Sequence, residues 1–141
     1  MSNKPSPPYF GQCLCGAVKY QVDALEPEMG HCHCTMCRKF HGSAFATYGE
    51  ATKENFHWLA GEDRLKSYTG HNDTVRQFCE NCGSSMTFAA ADSDGSIVEF
   101  ALATLDSDIA EQPDVHIFTD YKASWFDITD DLPKFKDDRN S

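Results

Sequence analysis

Seven cysteines fall into three tight groups: Cys13 and Cys15, then Cys32, Cys34 and Cys37, then Cys79 and Cys82. Two thiolates on one tight loop already share the first shell of a tetrahedral ion, so this spacing suits metal capture. Seven is also four plus three. A closed four-thiolate zinc site and an open three-thiolate zinc site would use every cysteine and leave one coordination position for a substrate. Such an open position separates catalytic from structural zinc. A disulfide framework is the competing reading. It needs an oxidising compartment, and the stretch Met1–Pro8 has no apolar segment that could act as a signal peptide. The odd number of cysteines and the C-x-C pairs, too close to bridge each other without strain, also argue against it. Metal sites in a cytoplasmic protein are therefore expected.

Cys79-Glu80-Asn81-Cys82-Gly83 has the pattern of a zinc knuckle, with a glycine available for the positive φ such a turn requires. A knuckle supplies two ligands and needs two more. Cys13-Leu14-Cys15-Gly16, with its own trailing glycine, is the natural partner. Such a site would tie an early strand to a mid-chain hairpin and contribute folding energy directly. Cys32-His33-Cys34-Thr35-Met36-Cys37 places three thiolates within six residues, enough for one facial set on a single ion. Its fourth ligand is not specified. His31, His33 or His41 could complete a closed Cys3His site, although His31 and His33 bracket Cys32, where their side chains would point away from the ion.

Charge limits what an open three-thiolate site can do. Zinc with three thiolates carries a net charge of about −1, making it a weaker Lewis acid than a three-histidine site and poorly suited to generating hydroxide. A bound thiol is a better match, because coordination deprotonates it and its sulfur stays nucleophilic on an electron-rich ion. The favoured chemistry is making or breaking a bond between carbon and a substrate sulfur. Arg38 and Lys39 follow Cys37 directly. Arg38 could anchor a substrate carboxylate through a bidentate pair, or simply offset the thiolate charge.

These groups must be positioned by a chain of 141 residues, long enough to bury a real core, with a formal net charge of −10. Seven thiolates on two divalent ions would make it more negative still. That field repels phosphate backbones, and no C-x-x-C…H-x-x-x-H finger is present, so a nucleic-acid reader is not expected. No stretch approaches the roughly 20 apolar residues of a membrane span. Residues 1–10 read as a Pro-rich lead-in, 11–133 as a single zinc-binding domain, and 134–141 as a polar tail expected to fray.

Within the domain the pattern predicts short strands over 14–22, with Val18, Tyr20 and Val22 on one face, and over 43–48, 56–59 and 65–68. Further strands are predicted over 84–90, 97–103, 115–118 and 124–128. Asp92-Ser93-Asp94-Gly95 is a hairpin signal between two of them. Only Thr35–His41 reads as helical. Trp58 and Trp125 are expected in the core and His116 as a buried structural histidine, whereas Asn81, Ser84 and Ser85 could donate to sulfur or substrate but are expected to cap backbone groups of the knuckle. The fold class is all-β.

The same residues resemble the glutathione-dependent formaldehyde-activating enzyme family, also called the centromere protein V family. The likeness covers nearly the whole chain. It includes G-x-C-x-C-G-x-V-x-Y at Gly11–Tyr20, C-x-C-x-x-C-R-K at Cys32–Lys39 and F-C-x-x-C-G-S at Phe78–Ser84. Leu105-Asp106, Pro113-x-x-His116-Ile117 and the later Trp125 look like the family's C-terminal block. The resemblance implies a β-tent of several short coiled antiparallel sheets clipped by two zinc ions per chain. On that pattern Cys13, Cys15, Cys79 and Cys82 hold the structural zinc, and Cys32, Cys34 and Cys37 hold the catalytic, more labile one. The implied activity is that of a carbon–sulfur lyase on thiol–aldehyde adducts of the S-hydroxymethylglutathione type, with a small thiol, glutathione by analogy, as substrate. A non-catalytic zinc module that binds another protein and a thiol redox or metal sensor are the alternatives from other classes.

Overall fold

The computed structural model describes residues 4–139. The first residues of the Pro-rich lead-in and the last two of the polar tail lie outside the described residues. The fold is mostly β, with ten strands and one α-helix among the described residues. The chain forms two compact units, one made of 1–27 and 49–111, the other of 28–48 and 112–141.

In the first unit, β1 (Tyr9–Gln12), β2 (Lys19–Val22) and β5 (Phe56–Ala60) form an antiparallel sheet with β2 in the centre. β6 (Leu65–Thr69), β7 (Val75–Cys79), β8 (Ser85–Ala89) and β9 (Ile97–Ala101) follow as an antiparallel meander. The alternation over Val18, Tyr20 and Val22 does what period-2 patterning requires: all three are buried, in one cluster with Tyr9, Phe56, Met86 and Phe100. Tyr20 lies flat against Phe56, with ring centroids 5.0 Å apart, and edge-on to Phe100 at 5.4 Å. Its hydroxyl bonds Thr104 at 2.6 Å, which lets a phenol sit in an apolar core. Trp58 packs against this cluster, as expected.

The second unit is built on a three-residue strand. β3 (Gly30–Cys32) pairs antiparallel with the start of β4 (Ala46–Thr52) on one side and parallel with β10 (Val115–Ile117) on the other. The parallel pair joins segments far apart in sequence, a pairing that local patterning does not announce. α1 (Thr35–His41) occupies the residues expected of it. The Cys34 side chain caps its start by accepting from the Cys37 amide at 3.2 Å, and left-handed Gly42 ends it by donating to the Arg38 carbonyl at 2.7 Å.

Three expectations are overturned by the structure. Residues 124–128 do not form a strand, because the edge of β10 they would need is taken by the polar tail. The His116 amide donates to the Pro133 carbonyl, and the Phe135 amide donates to the His116 carbonyl, both at 2.9 Å. The tail is thus tied down through residue 139, where Arg139 pairs with Asp114 at 3.0 Å. Trp125, left without a strand, is 71% exposed instead of buried.

Candidate functional site

All seven cysteines are free thiols, gathered into two groups whose sulfurs lie within 4.8 Å of one another: Cys13, Cys15, Cys79 and Cys82, and Cys32, Cys34 and Cys37. The four-cysteine group is held by two similar loops. Gly16 and Gly83 trail the two cysteine pairs at φ of 81° and 78°, and each glycine amide turns back to the carbonyl of the first cysteine of its pair, Cys13 or Cys79. That left-handed turn is where a side chain would be strained. Ser84 joins the loops: its hydroxyl accepts from the Leu14 amide at 2.9 Å and lies 3.3 Å from the Cys82 sulfur. The Val18 amide donates to the Cys13 sulfur at 3.3 Å.

Tetrahedral zinc with thiolate bonds near 2.3 Å requires sulfurs about 3.8 Å apart. Cys13 and Cys15 are separated by 3.6 Å, Cys15 and Cys79 by 3.9 Å. Thiol acidity varies sharply around the group. Burial alone would raise Cys82, but hydrogen bonds from Ser84 and neighbouring groups bring it down to about 5. The Asn81 side chain holds Cys15 below the usual thiol range, while burial pushes Cys79 up to about 11. Hydrogen bonds thus favour thiolates in a crowded group, and a cation would let all four ionise together. The residues fit zinc.

In the three-cysteine group, Cys32 ends β3, Cys34 caps α1 and Cys37 lies in the first turn. The Tyr48 hydroxyl donates to the Cys37 sulfur at 3.4 Å. Proton sharing with Cys34 and Cys37, together with burial, drives the Cys32 thiol far up. Cys32 pulls the Cys37 thiol down, but Cys34 and burial outweigh it, so Cys37 is raised as well. Three sulfurs this close cannot all be anionic without a cation among them, and this group also fits zinc.

Among the described residues, no histidine, aspartate or glutamate joins the three sulfurs within that distance. Each of the three histidines considered as closing ligands has one ring nitrogen bonded to another group, while the buried His33 Nδ1 has no hydrogen-bond partner. His31 Nδ1 meets the Thr47 hydroxyl at 2.7 Å, and His41 Nε2 meets the Tyr48 hydroxyl at 3.3 Å. His33 Nε2 shares a proton with His116 Nδ1 at 2.8 Å, and His116 Nε2 bonds the Asp130 carboxylate at 2.9 Å. His33 is fully buried, and desolvation, aided by His116, lowers it to about 4. His116 is thus the buried structural histidine expected, but its partner Asp130 gave no sequence signal.

Two grooves share Thr35 beside this cluster. One, of about 220 Å³, is lined by Arg38, Lys39, Gly42, Ser43 and Trp125; the other, of about 280 Å³, by Cys34, Met36, Phe118 and Tyr121. Arg38 donates through Nη1 to the Tyr121 carbonyl at 2.9 Å, while its Nε is buried without a partner. The sequence reading singled out Arg38 but missed Tyr48, Phe118 and Tyr121, which reach the site from positions with no motif of their own.

The family model for glutathione-dependent formaldehyde-activating enzyme matches residues 8–121, spanning both cysteine groups and both loops that carry them. The chain belongs to that family. A relative in Schizosaccharomyces pombe, described as an uncharacterized lyase, is 31% identical over 83 residues. That alignment covers 59% of this chain and 58% of the relative, so the chain spans less than two thirds of the relative's length. The crystal structure of a Rhodobacter sphaeroides protein is similar with a TM-score of 0.58 at 25% identity, covering 69% of this chain and 87% of that one. No helix among the described residues is long and apolar enough to cross a membrane.

Proposed function

We propose that this member of the formaldehyde-activating family is a zinc-dependent carbon–sulfur lyase that makes or breaks thiol–aldehyde adducts of the S-hydroxymethylglutathione type. One observation carries the reading: the cysteines separate into a complete set of four and a set of three that, among the described residues, no histidine or carboxylate completes. In this reading Cys13, Cys15, Cys79 and Cys82 hold a structural zinc, and Cys32, Cys34 and Cys37 hold a second, more labile one. That second zinc, when bound, would supply the cation that keeps a substrate sulfur deprotonated.

The chain's own residues do the rest. Cys32, Cys34 and Cys37 keep the cluster electron-rich, which preserves sulfur nucleophilicity. Tyr48 donates to Cys37 and fixes its sulfur. Arg38, lining the groove with Lys39 beside it, attracts the carboxylate of an anionic thiol such as glutathione and orients it. Sites built from unbridged thiolates belong in a reducing compartment, and the cytoplasm is the expected one. Support also comes from the relative described as a lyase.

The test is exchange spectroscopy by nuclear magnetic resonance on formaldehyde and glutathione at equilibrium. Catalytic amounts of the two-zinc protein should speed interconversion of free thiol and hydroxymethyl adduct, and Cys37→Ala should not. An exchange rate equal to that in buffer would leave a non-catalytic zinc module as the better reading.

A further inference from the structure

The two grooves beside Thr35 are both mostly apolar, the first through Trp125 among others, and they differ in charge. One carries the cations Arg38 and Lys39; the other presents Met36, Phe118 and Tyr121 next to Cys34. Phe118 sits at φ 56°, a left-handed conformation that a bulky aromatic adopts only where its surroundings hold it. They do so here: its amide donates to the Asp137 carbonyl at 2.7 Å, and its carbonyl accepts from the Tyr121 amide at 3.1 Å. The result is a pair of rings 6.5 Å apart, with Tyr121 half exposed, along a groove of about 280 Å³ that a cluster cysteine also lines. Formaldehyde has no carbon substituent and would leave such a wall unused.

We propose that this groove takes the apolar substituent of an aldehyde larger than formaldehyde, and that Met36, Phe118 and Tyr121 set specificity for the carbonyl partner. The inference rests on the thiol–aldehyde reading above. Charge assigns the occupants: an anionic thiol is drawn to Arg38 and Lys39, leaving the uncharged groove to the second reactant. The step balances without an oxidant. The sulfur lone pair forms the S–C bond, the carbonyl π bond opens onto oxygen, and the thiol proton ends on that oxygen as a hydroxyl. The aldehyde substituent stays on the carbon bonded to sulfur, so it lies beside Cys34, where the groove begins.

Non-reactive thioethers provide a binding test with the zinc-loaded protein. By calorimetry, S-hexylglutathione should bind at least about tenfold tighter than S-methylglutathione, since each buried methylene strengthens binding. Phe118→Gly, which suits the positive φ, and Tyr121→Ala should each reduce that preference to about threefold or less. The ratio of kcat/KM for hexanal over formaldehyde, with glutathione as thiol, should fall by a similar factor. Equal binding of the two thioethers to the parent protein overturns the proposal. So does a result in which the variants impair hexanethiol with formaldehyde while sparing hexanal with glutathione, because the groove would then hold the thiol's chain. Turnover of formaldehyde without any hexyl preference sinks this inference alone. Absence of all thioether binding and of all aldehyde turnover sinks the lyase reading with it.

Discussion

Replacing Cys79 with serine should unfold the first unit, and the size of the effect follows from where Cys79 lies. Its side chain is fully buried in the cluster that contains Tyr9, Val18, Tyr20 and Phe100, and it belongs to the four-sulfur group. A structural zinc contributes on the order of 10 kcal/mol of apparent binding energy. Losing one of four ligands removes a large part of it, and burying a hydroxyl in an apolar cluster costs about 1–3 kcal/mol more. Total stability of such a domain is about 5–15 kcal/mol, so the variant is left with little or none. Zinc content and the far-ultraviolet circular dichroism melt measure this together. Cys34→Ser is the control: serine is a good helix cap and can accept the Cys37 amide as Cys34 does, so this variant should keep its fold and one zinc. A Cys79→Ser protein that retains two zinc ions and melts within a few degrees of the parent would refute the reasoning.

Arg38→Ala should raise KM roughly tenfold for thiols bearing a carboxylate and little for neutral thiols, as steady-state kinetics would show; the effect should shrink as salt screens the charge. His116→Ala leaves the buried His33 Nε2 without its partner and opens a cavity, so thermal melts should show a loss of about 3 kcal/mol. Asp114 is partly buried, which raises its carboxyl, but Arg139 outweighs this and holds it below the usual range. A depressed carboxylate stabilises the fold above its unfolded pKa, and the benefit is lost as pH falls through the lower folded value. Asp114→Asn should therefore destabilise by about 1 kcal/mol near neutral pH, discounted for the pair's exposure, with the difference from the parent fading below roughly pH 4.

The two cysteine groups were more legible in the sequence than the framework that carries them. Metal-ligand spacing is local, so C-x-C, C-x-x-C and their trailing glycines announce the loops at Gly16 and Gly83 directly. α1 was equally visible, bounded by Cys34 and Gly42. β3 was not: Gly30-His31-Cys32 has neither length nor alternation, and it exists because β4 and β10 pair with it from both sides. β7 was missed because Arg76 interrupts the apolar pattern, yet Arg76 is buried, stacking on Phe88 and bonding Thr74. Trp125 misled in the opposite sense, since an aromatic in an apolar run reads as core until the strand's partner edge proves taken. The His33–His116–Asp130 chain joins residues separated in sequence, and only tertiary pairing reveals it.

The central claim is that Cys32, Cys34 and Cys37 hold a metal that can accept a substrate sulfur. Cobalt substituted into both sites, followed by titration with glutathione, tests this most directly. The sulfur-to-cobalt charge-transfer band should grow as one site moves from three to four sulfurs, saturating at one thiol per chain, and Cys37→Ala should abolish the change while the four-cysteine site keeps its spectrum. A spectrum that already reports two four-ligand protein sites and ignores every thiol added would contradict the account.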